Sequence, residues 1–389
     1  MYKKNIKLDY FHTVFRNFNL SSGIWMVYLF VKGFNYLQIA IFEVVFHISS
    51  LLFEIPTGVI ADVFGRKTSR ILGILLYLVY IVIIITVDDV FWTIFAFVLC
   101  GISYTLESGA GEALIYDSMV EEGIEEDFMQ VNGNKEVFMQ SSTFAALMLS
   151  GRIAEIKYEY VFLLTGLFFI FGLISILLMK EVEIKHEKKT ILELLKNQFV
   201  VSTKVVFQNK RLFMLIIIGA TMLAPITTIF FFIQNRLYEL GFSLTIITMI
   251  LGFHALMAAI GGYFAQRLER KYGEKKVLLF VPLFIVICFV FLNTGEYMVV
   301  SFIVLGFFDS LFYVVLSDYL NCIVESKIRA TVLSFFGMAF SVVMIVIFLV
   351  VGFVGHFVSL QTAFMVLGFF TLVFYILLLP VLRGTKEIL

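Results

Sequence analysis

Charge is scarce in this chain: Asp, Glu, Lys and Arg make up 15% of its 389 residues, against 61% hydrophobic. A soluble globule of that composition would have too little polar surface to face water, which leaves a lipid bilayer as the solvent. Basic and acidic residues, 29 of each, cancel, so the basic excess that a nucleic-acid partner requires is missing. Cysteine is nearly absent. Cys100, Cys288 and Cys322 all fall in apolar stretches, where they read as small buried groups and supply neither a disulfide nor a metal framework. There is no Walker loop, no His/Cys metal spacing and no nucleophile elbow. These absences argue against an enzyme and against a cofactor, and they point to an ion gradient rather than ATP as the energy source.

What is present is a succession of apolar runs. Crossing roughly 30 Å of hydrocarbon takes about 20 residues of helix, and twelve stretches qualify: 10–32, 37–60, 69–88, 91–117, 135–156, 159–180, 211–236, 243–266, 275–293, 297–320, 328–354 and 358–381. The pattern predicts an all-α membrane protein. The first run follows basic residues, as a secretory signal would, but no small-residue cleavage site comes after it, so it is expected to stay as a helix.

Basic residues set the orientation. With the N-terminus inside, Lys3, Lys4, Lys7, Arg66, Lys67, Arg70, the run from Lys180 to Arg211 and the group Arg267, Arg270, Lys271, Lys275 and Lys276 all lie on the inner side. Only Lys32, Arg152, Lys157 and Arg236 remain outside, a positive-inside asymmetry that places both termini in the cytoplasm of a cell-membrane protein. Glu121, Glu122, Glu125, Glu126 and Asp127 make one inner connection acidic, but acidic residues weigh little in topology.

Residues 181–210 form the one long polar connection, where Ile191, Leu194, Leu195, Phe199 and Val200 alternate with lysines. That patterning predicts an amphipathic helix on the cytoplasmic membrane surface, tethering halves at 1–180 and 211–389. A repeat supports the division. Gly58, Asp62, Arg66 and Lys67 recur as Gly262, Gln266, Arg270 and Lys271, and Leu114–Asp117 is echoed by Val315–Asp318 at nearly the same offset, as parallel six-helix repeats would leave behind.

The densest signal is Glu54-Ile-Pro-Thr-Gly58-Val-Ile-Ala-Asp62-Val-Phe-Gly65-Arg66-Lys67, where an apolar helix ends in glycine-spaced opposite charges. Gly58 removes a side chain where another helix can approach, and Pro56 is expected to disturb the helix before it. Asp62 can accept bonds from a neighbouring helix N-terminus, with Arg66 and Lys67 held at the cytoplasmic surface. Such a latch would keep the inner end of a bundle shut.

The cluster resembles the loop between the second and third helices of the major facilitator superfamily of secondary transporters. The family pattern is Gly, three residues, Asp, a basic residue, one residue, Gly and two basic residues. Gly58, Asp62, Gly65, Arg66 and Lys67 match it, with Val63 in place of the usual basic residue. The resemblance implies two pseudo-symmetric six-helix bundles, and a charge network in which Asp62 and Arg66 join Asp117, stabilise the outward-open state and separate for inward opening.

Charges inside the spans bear on mechanism, since each costs about 2.5–3.5 kcal/mol at a helix centre unless a partner, a watery cavity or a role accounts for it. Glu43, His47 and Glu54 fall on one stripe of the second span at about 100° per residue. The first span carries Arg16, the fourth Glu107 and Glu112, and the tenth Asp309. The resemblance implies that the first, fourth, seventh and tenth helices line a central cavity, which makes Arg16, Glu107, Glu112 and Asp309 the substrate-facing candidates. Glu107 or Asp309 is then the expected proton-coupling group, with Arg16 paired to Glu112. His47 and His254 read as hydrogen-bonded residues or proton relays. The 46 Phe, 17 Tyr and 15 Met residues line a greasy, adaptable pocket or face lipid.

Direction of transport is carried by fewer residues. The Gly-Pro pattern that marks antiporters in the family is absent from Met139–Glu155, and Thr105 or a neighbour stands where proton-coupled members carry Arg. The Pro-Glu-Ser-Pro-Arg pattern of sugar porters is also missing, as are the peptide- and nitrate-transporter patterns. The resulting expectation is a monomeric, proton-coupled exporter of a small amphiphilic molecule or drug. Ion-coupled uptake, or transport of a lipid-like substrate, is the alternative, and a receptor or assembly factor that kept the fold without transport is a third reading.

Overall fold

A computed structural model describes residues 2–182, 207–323 and 326–384. The expected amphipathic helix at 181–210 lies almost entirely outside these residues. Among them the chain is helical: α1 Lys3–Asn17, α2 Trp25–Val31, α3 Tyr36–Phe64, α4 Arg66–Thr86, α5 Val90–Val120, α6 Phe128–Ile156, α7 Tyr158–Leu177, α8 Lys210–Glu239, α9 Leu244–Tyr272, α10 Glu274–Phe291, α11 Met298–Ile323, α12 Ser326–Phe357 and α13 Leu360–Gly384, with 3-10 turns at Leu20–Gly23 and Glu125–Asp127. Helices satisfy their backbone groups internally, as hydrocarbon requires. Their starts are written in the sequence. Asp89 accepts from the N–H groups of Phe91 and Trp92 at the head of α5, and Asn209 accepts from Leu212 N–H at the head of α8.

Nine helices among the described residues are long and apolar enough to cross a membrane, so the expected twelve are not matched one for one. The first, fifth and ninth expected spans fall short for physical reasons. Lys135, Glu136, Arg152 and Glu155 stand in α6, while Lys275 and Lys276 stand in the short α10. The first expected span, 10–32, is broken into α1 and α2. Asn19 Oδ1 accepts from Ser21 N–H (3.1 Å) and Ser21 Oγ (2.6 Å), and Ser22 Oγ donates to the Asn19 carbonyl (2.8 Å). These local bonds compete with the helical ladder. Thr165 Oγ1 accepts from Ser21 N–H and Ser150 Oγ donates to Leu20 carbonyl, taking up groups the break releases. Farther along, α3 continues through Pro56. Thr57 Oγ1 donates to the carbonyls of Phe53 and Glu54 there.

Two compact units result. The first comprises Met1–Gly33, Phe42–Leu195 and Ser243–Met249, and the second Phe34–Ile41, Lys196–Phe242 and Ile250–Leu389. In the first, α4 and α5 pack through small residues: Ser103 Oγ donates to Gly73 carbonyl and Ser69 Oγ to Leu106 carbonyl, each at 2.7 Å. Leu8, Ile74, Leu114, Phe169, Ile176 and Met179 form its apolar core. In the second, α9 and α11 approach closely where Gly261 meets the backbone of Phe307 and Gly306 meets that of His254. His254 Nδ1 lies 2.8 Å from the Phe302 carbonyl and its ring stacks on Phe302, the satisfied arrangement of the two expected.

Candidate functional site

The charged cluster after α3 is a clasp within the first unit. Gly65 adopts φ +96° between α3 and α4, a backbone region that favours glycine. The backbone N–H groups of Arg66 and Lys67, orphans at the start of α4, donate to the two carboxylate oxygens of Glu181 at 3.2 and 2.8 Å. Lys67 Nζ donates to the carbonyls of Leu177 and Met179 at 2.8 and 2.7 Å, placing a cation at the negative end of α7. Arg66 reaches α5, where it pairs with Asp117 and donates to Ala113 carbonyl.

Two members of the cluster depart from expectation. Asp62 is exposed and bonds to no described residue, so the charge network closes through Glu181 instead, because a carboxylate on the α7 side lies nearest the open α4 terminus. A β-carbon added at Gly58 would have nothing within 4 Å among the described residues, so no helix exploits its missing side chain there.

The second feature lies deeper. Arg70, one turn beyond Arg66 on α4, is fully buried. Its Nη2 is 2.8 Å from Asp9 Oδ1 on α1 and 2.9 Å from Glu107 Oε1 on α5, and its Nε donates to the same Glu107 oxygen at 3.0 Å. His12 Nε2 lies 2.9 Å from Glu107 Oε1, with its Nδ1 turned to the Gly172 carbonyl at 3.3 Å. Lys135 of α6 pairs with Asp9 Oδ2 at 3.0 Å. Arg16 stands 3.7 Å from Glu107 Oε1. All these contacts to Glu107 converge on Oε1, while the buried Oε2 accepts no hydrogen bond.

Charges this deep are expensive in hydrocarbon, and the network offsets that by pairing two carboxylates, Asp9 and Glu107, with Arg70, Lys135 and Arg16. It borders a cavity of about 510 Å³ inside the first unit, lined among others by His12, Arg16, Asn17, Asn19, Ser22, Tyr104, Glu107 and Glu112. Arg16, Glu107 and Glu112 therefore share one cavity, as the sequence suggested. Arg16 nevertheless associates with Glu107 and not Glu112. Five residues of helix turn Glu112 about 140° away from Glu107, so Glu107 faces α1 and α4 while Glu112 is exposed to the cavity.

Other candidates stand apart. Glu43 and His47 are buried neighbours on α3, with His47 Nε2 3.8 Å from Glu43 Oε1, and Glu54 makes no ion pair with a described residue. Asp309 sits half-buried in α11 of the second unit with no partner among the described residues. Sequence reasoning missed Asp9 and His12 altogether and read Arg70 as a topology charge. The available signal was Asp9, His12 and Arg16 at spacings of three and four, one stripe of a helix.

Comparisons with known proteins agree with this geometry. The family model described as Major Facilitator Superfamily matches residues 11–292 and 224–388. An uncharacterized MFS-type transporter, YxaM of Bacillus subtilis (strain 168), is 25% identical over 269 residues, covering 67% of this chain and 65% of that protein. Thus the chain spans about two thirds of the relative's length. Among solved structures, a mutant of the nucleoside transporter NupG superposes with a TM-score of 0.82 at 15% identity, over 98% of this chain and all of that one. A D-xylose-proton symporter gives 0.71 at 13% identity over 97% of each chain. A bacterial homologue of the human lysosomal transporter Spinster gives 0.73 at 12% identity over 96% of each. With helices and charged clasp in place and the family pattern matched from one end to the other, the chain belongs to the Major Facilitator Superfamily.

Proposed function

We propose that this protein is a secondary active transporter that works by alternating access and moves a small amphiphilic molecule against protons, with Glu107 as the proton-carrying group. The observation that carries this reading is the one-sided satisfaction of Glu107: Arg70 and His12 lie within hydrogen-bond distance of Oε1 with Arg16 beyond them at 3.7 Å, and Oε2 is buried without a hydrogen-bond partner. A proton can join Oε2 without displacing any contact. A cationic substrate in the cavity is favoured while Glu107 is ionised, Arg16 standing at 3.7 Å from it without a hydrogen bond, and loses that attraction once the carboxylate is neutralised. Proton and substrate then compete through Glu107, and exchange follows. The clasp of Arg66, Asp117 and Glu181 supports a gate at the inner end of the first unit. Placement in the cell membrane with both termini cytoplasmic, action as a monomer and export are parts of the same proposal.

Proton-linked uptake of a small polar solute is the second reading. It is favoured by the amide and hydroxyl groups of Asn17, Asn19, Ser22, Ser103 and Thr143 on the cavity wall, and by the names of the D-xylose-proton symporter and nucleoside transporter that share the fold. Everted vesicles with a pH-sensitive dye separate the readings. Collapse of an imposed gradient on adding lipophilic cations or amphiphiles, abolished by Glu107→Gln, supports export. Proton influx on adding sugars or nucleosides to intact cells supports uptake, and intact proton coupling in Glu107→Gln overturns the role of Glu107.

A further inference from the structure

We infer that the cavity of the first unit takes a zwitterion: a molecule whose anionic group is held by Arg16 and whose cationic group is held by Glu112. The inference names a substrate class for the site proposed above and rests on its being a binding cavity. It follows from counting which charges on the wall are already committed. Arg70, buried behind the wall, is engaged by Asp9, Glu107 and the Met179 sulfur, and Lys135 is paired with Asp9. His12 is bonded at both ring nitrogens.

Two ionic groups are left over. Arg16 has a single long-range association, 3.7 Å to an oxygen already shared by Arg70 and His12, and donates no hydrogen bond to a described residue. Its side chain keeps 28% of its surface open. Glu112 is exposed to the same cavity and has no ion pair with a described residue. One guanidinium fork, suited to a carboxylate or phosphate, and one carboxylate, suited to an ammonium, thus face the same volume from α1 and α5. Phe46 and Tyr104 complete an aromatic side to the wall, which suits an apolar body between the charges or a cation over a ring. A purely cationic or purely anionic solute would satisfy one of these groups and confront the other with its own sign.

The test is equilibrium binding to the purified full chain in detergent, where no gradient and no transport are involved. The probes are phenylalanine and 6-aminohexanoate as zwitterions of short and long charge separation. Phenylalaninamide serves as the cation, N-acetylphenylalanine as the anion, and uridine as a neutral solute. One of the two zwitterions should bind more tightly than every single-charged or neutral probe by about tenfold or more, the worth of one charge-assisted contact. Arg16→Gln should erase the preference over the cation, and Glu112→Gln the preference over the anion. Glu112→Gln should keep the wild-type melting temperature, since Glu112 makes no ion pair with a described residue, and Arg16→Gln should lower it far less than Arg70→Met, since it gives up only the 3.7 Å pair to Glu107. Equal or tighter binding of a single-charged or neutral probe, uniform weakening across all probes in both variants, or no binding by either zwitterion overturns the inference. Zwitterion binding without substrate-driven proton movement in vesicles would instead overturn the proton-coupled reading and leave this one standing.

Discussion

In the first unit the apolar interior contains a connected set of Asp9, His12, Arg70, Lys135 and Glu107; at the matching place in the internal repeat the second unit offers Asp309 alone among the described residues. Glu107 and Asp309 stand at the repeat's offset, yet the positions that match Asp9 and His12 are Leu212 and Leu215 on α8, which are buried and apolar, with the charge displaced to the adjacent Arg211, whose Nε is buried. The same asymmetry recurs at the clasp. Arg66 pairs with Asp117, whereas Arg270 and Asp318 are exposed and form no ion pair with a described residue. Two copies of one architecture have thus been filled differently: charge is organised in one and sparse in the other. The fold tolerates both because helices satisfy their backbone whatever their side chains do.

The sharpest way to break this contrast is Arg70→Met. It strands Asp9 and Glu107 without their shared cation, and losing one partner of a buried ion network costs about 3–5 kcal/mol. Thermal melting in detergent should register a large drop, while Asp309→Asn leaves the melting temperature unchanged or higher. Equal losses at both sites would erase the distinction. Next come the two glycines that open equivalent helices. Gly65 and Gly273 both adopt positive φ, +96° and +80°, but a methyl group at Gly65 would stand 2.6 Å from Glu181 Oε2 and one at Gly273 meets nothing within 4 Å. Gly65→Ala should therefore cost more than Gly273→Ala, whose penalty is the backbone strain of about 1–3 kcal/mol alone. The smallest expected effect is at the clasp. Asp117→Asn should lose at most about 1 kcal/mol, the range of partly exposed pairs, and Asp318→Asn nothing measurable.

Much of this was legible in the sequence because hydrocarbon imposes long apolar helices and leaves charge asymmetry as the sign of orientation. The cluster from Gly58 to Lys67 stood out by spacing, and Glu107, Glu112 and Arg16 stood out as charges in apolar runs. What escaped notice was hidden by context. Asp9 preceded the apolar run assigned to the first span, and Arg70 followed Lys67 so closely that it passed for one more loop charge. Neither the break at Asn19 nor the clasp residue Glu181 depends on hydropathy. Both are matters of individual hydrogen bonds, which a pattern of apolar residues does not encode.

Gly111 belongs among these unreadable details. A methyl group there would stand 3.3 Å from Glu107 Oε1 and 3.6 Å from the central carbon of Arg70, tighter than comfortable packing for the first. The missing side chain leaves a small recess beside the oxygen that Arg70, His12 and Arg16 share. A carboxylate that must loosen its partners and regain them needs somewhere to turn, and one absent carbon atom supplies that free volume.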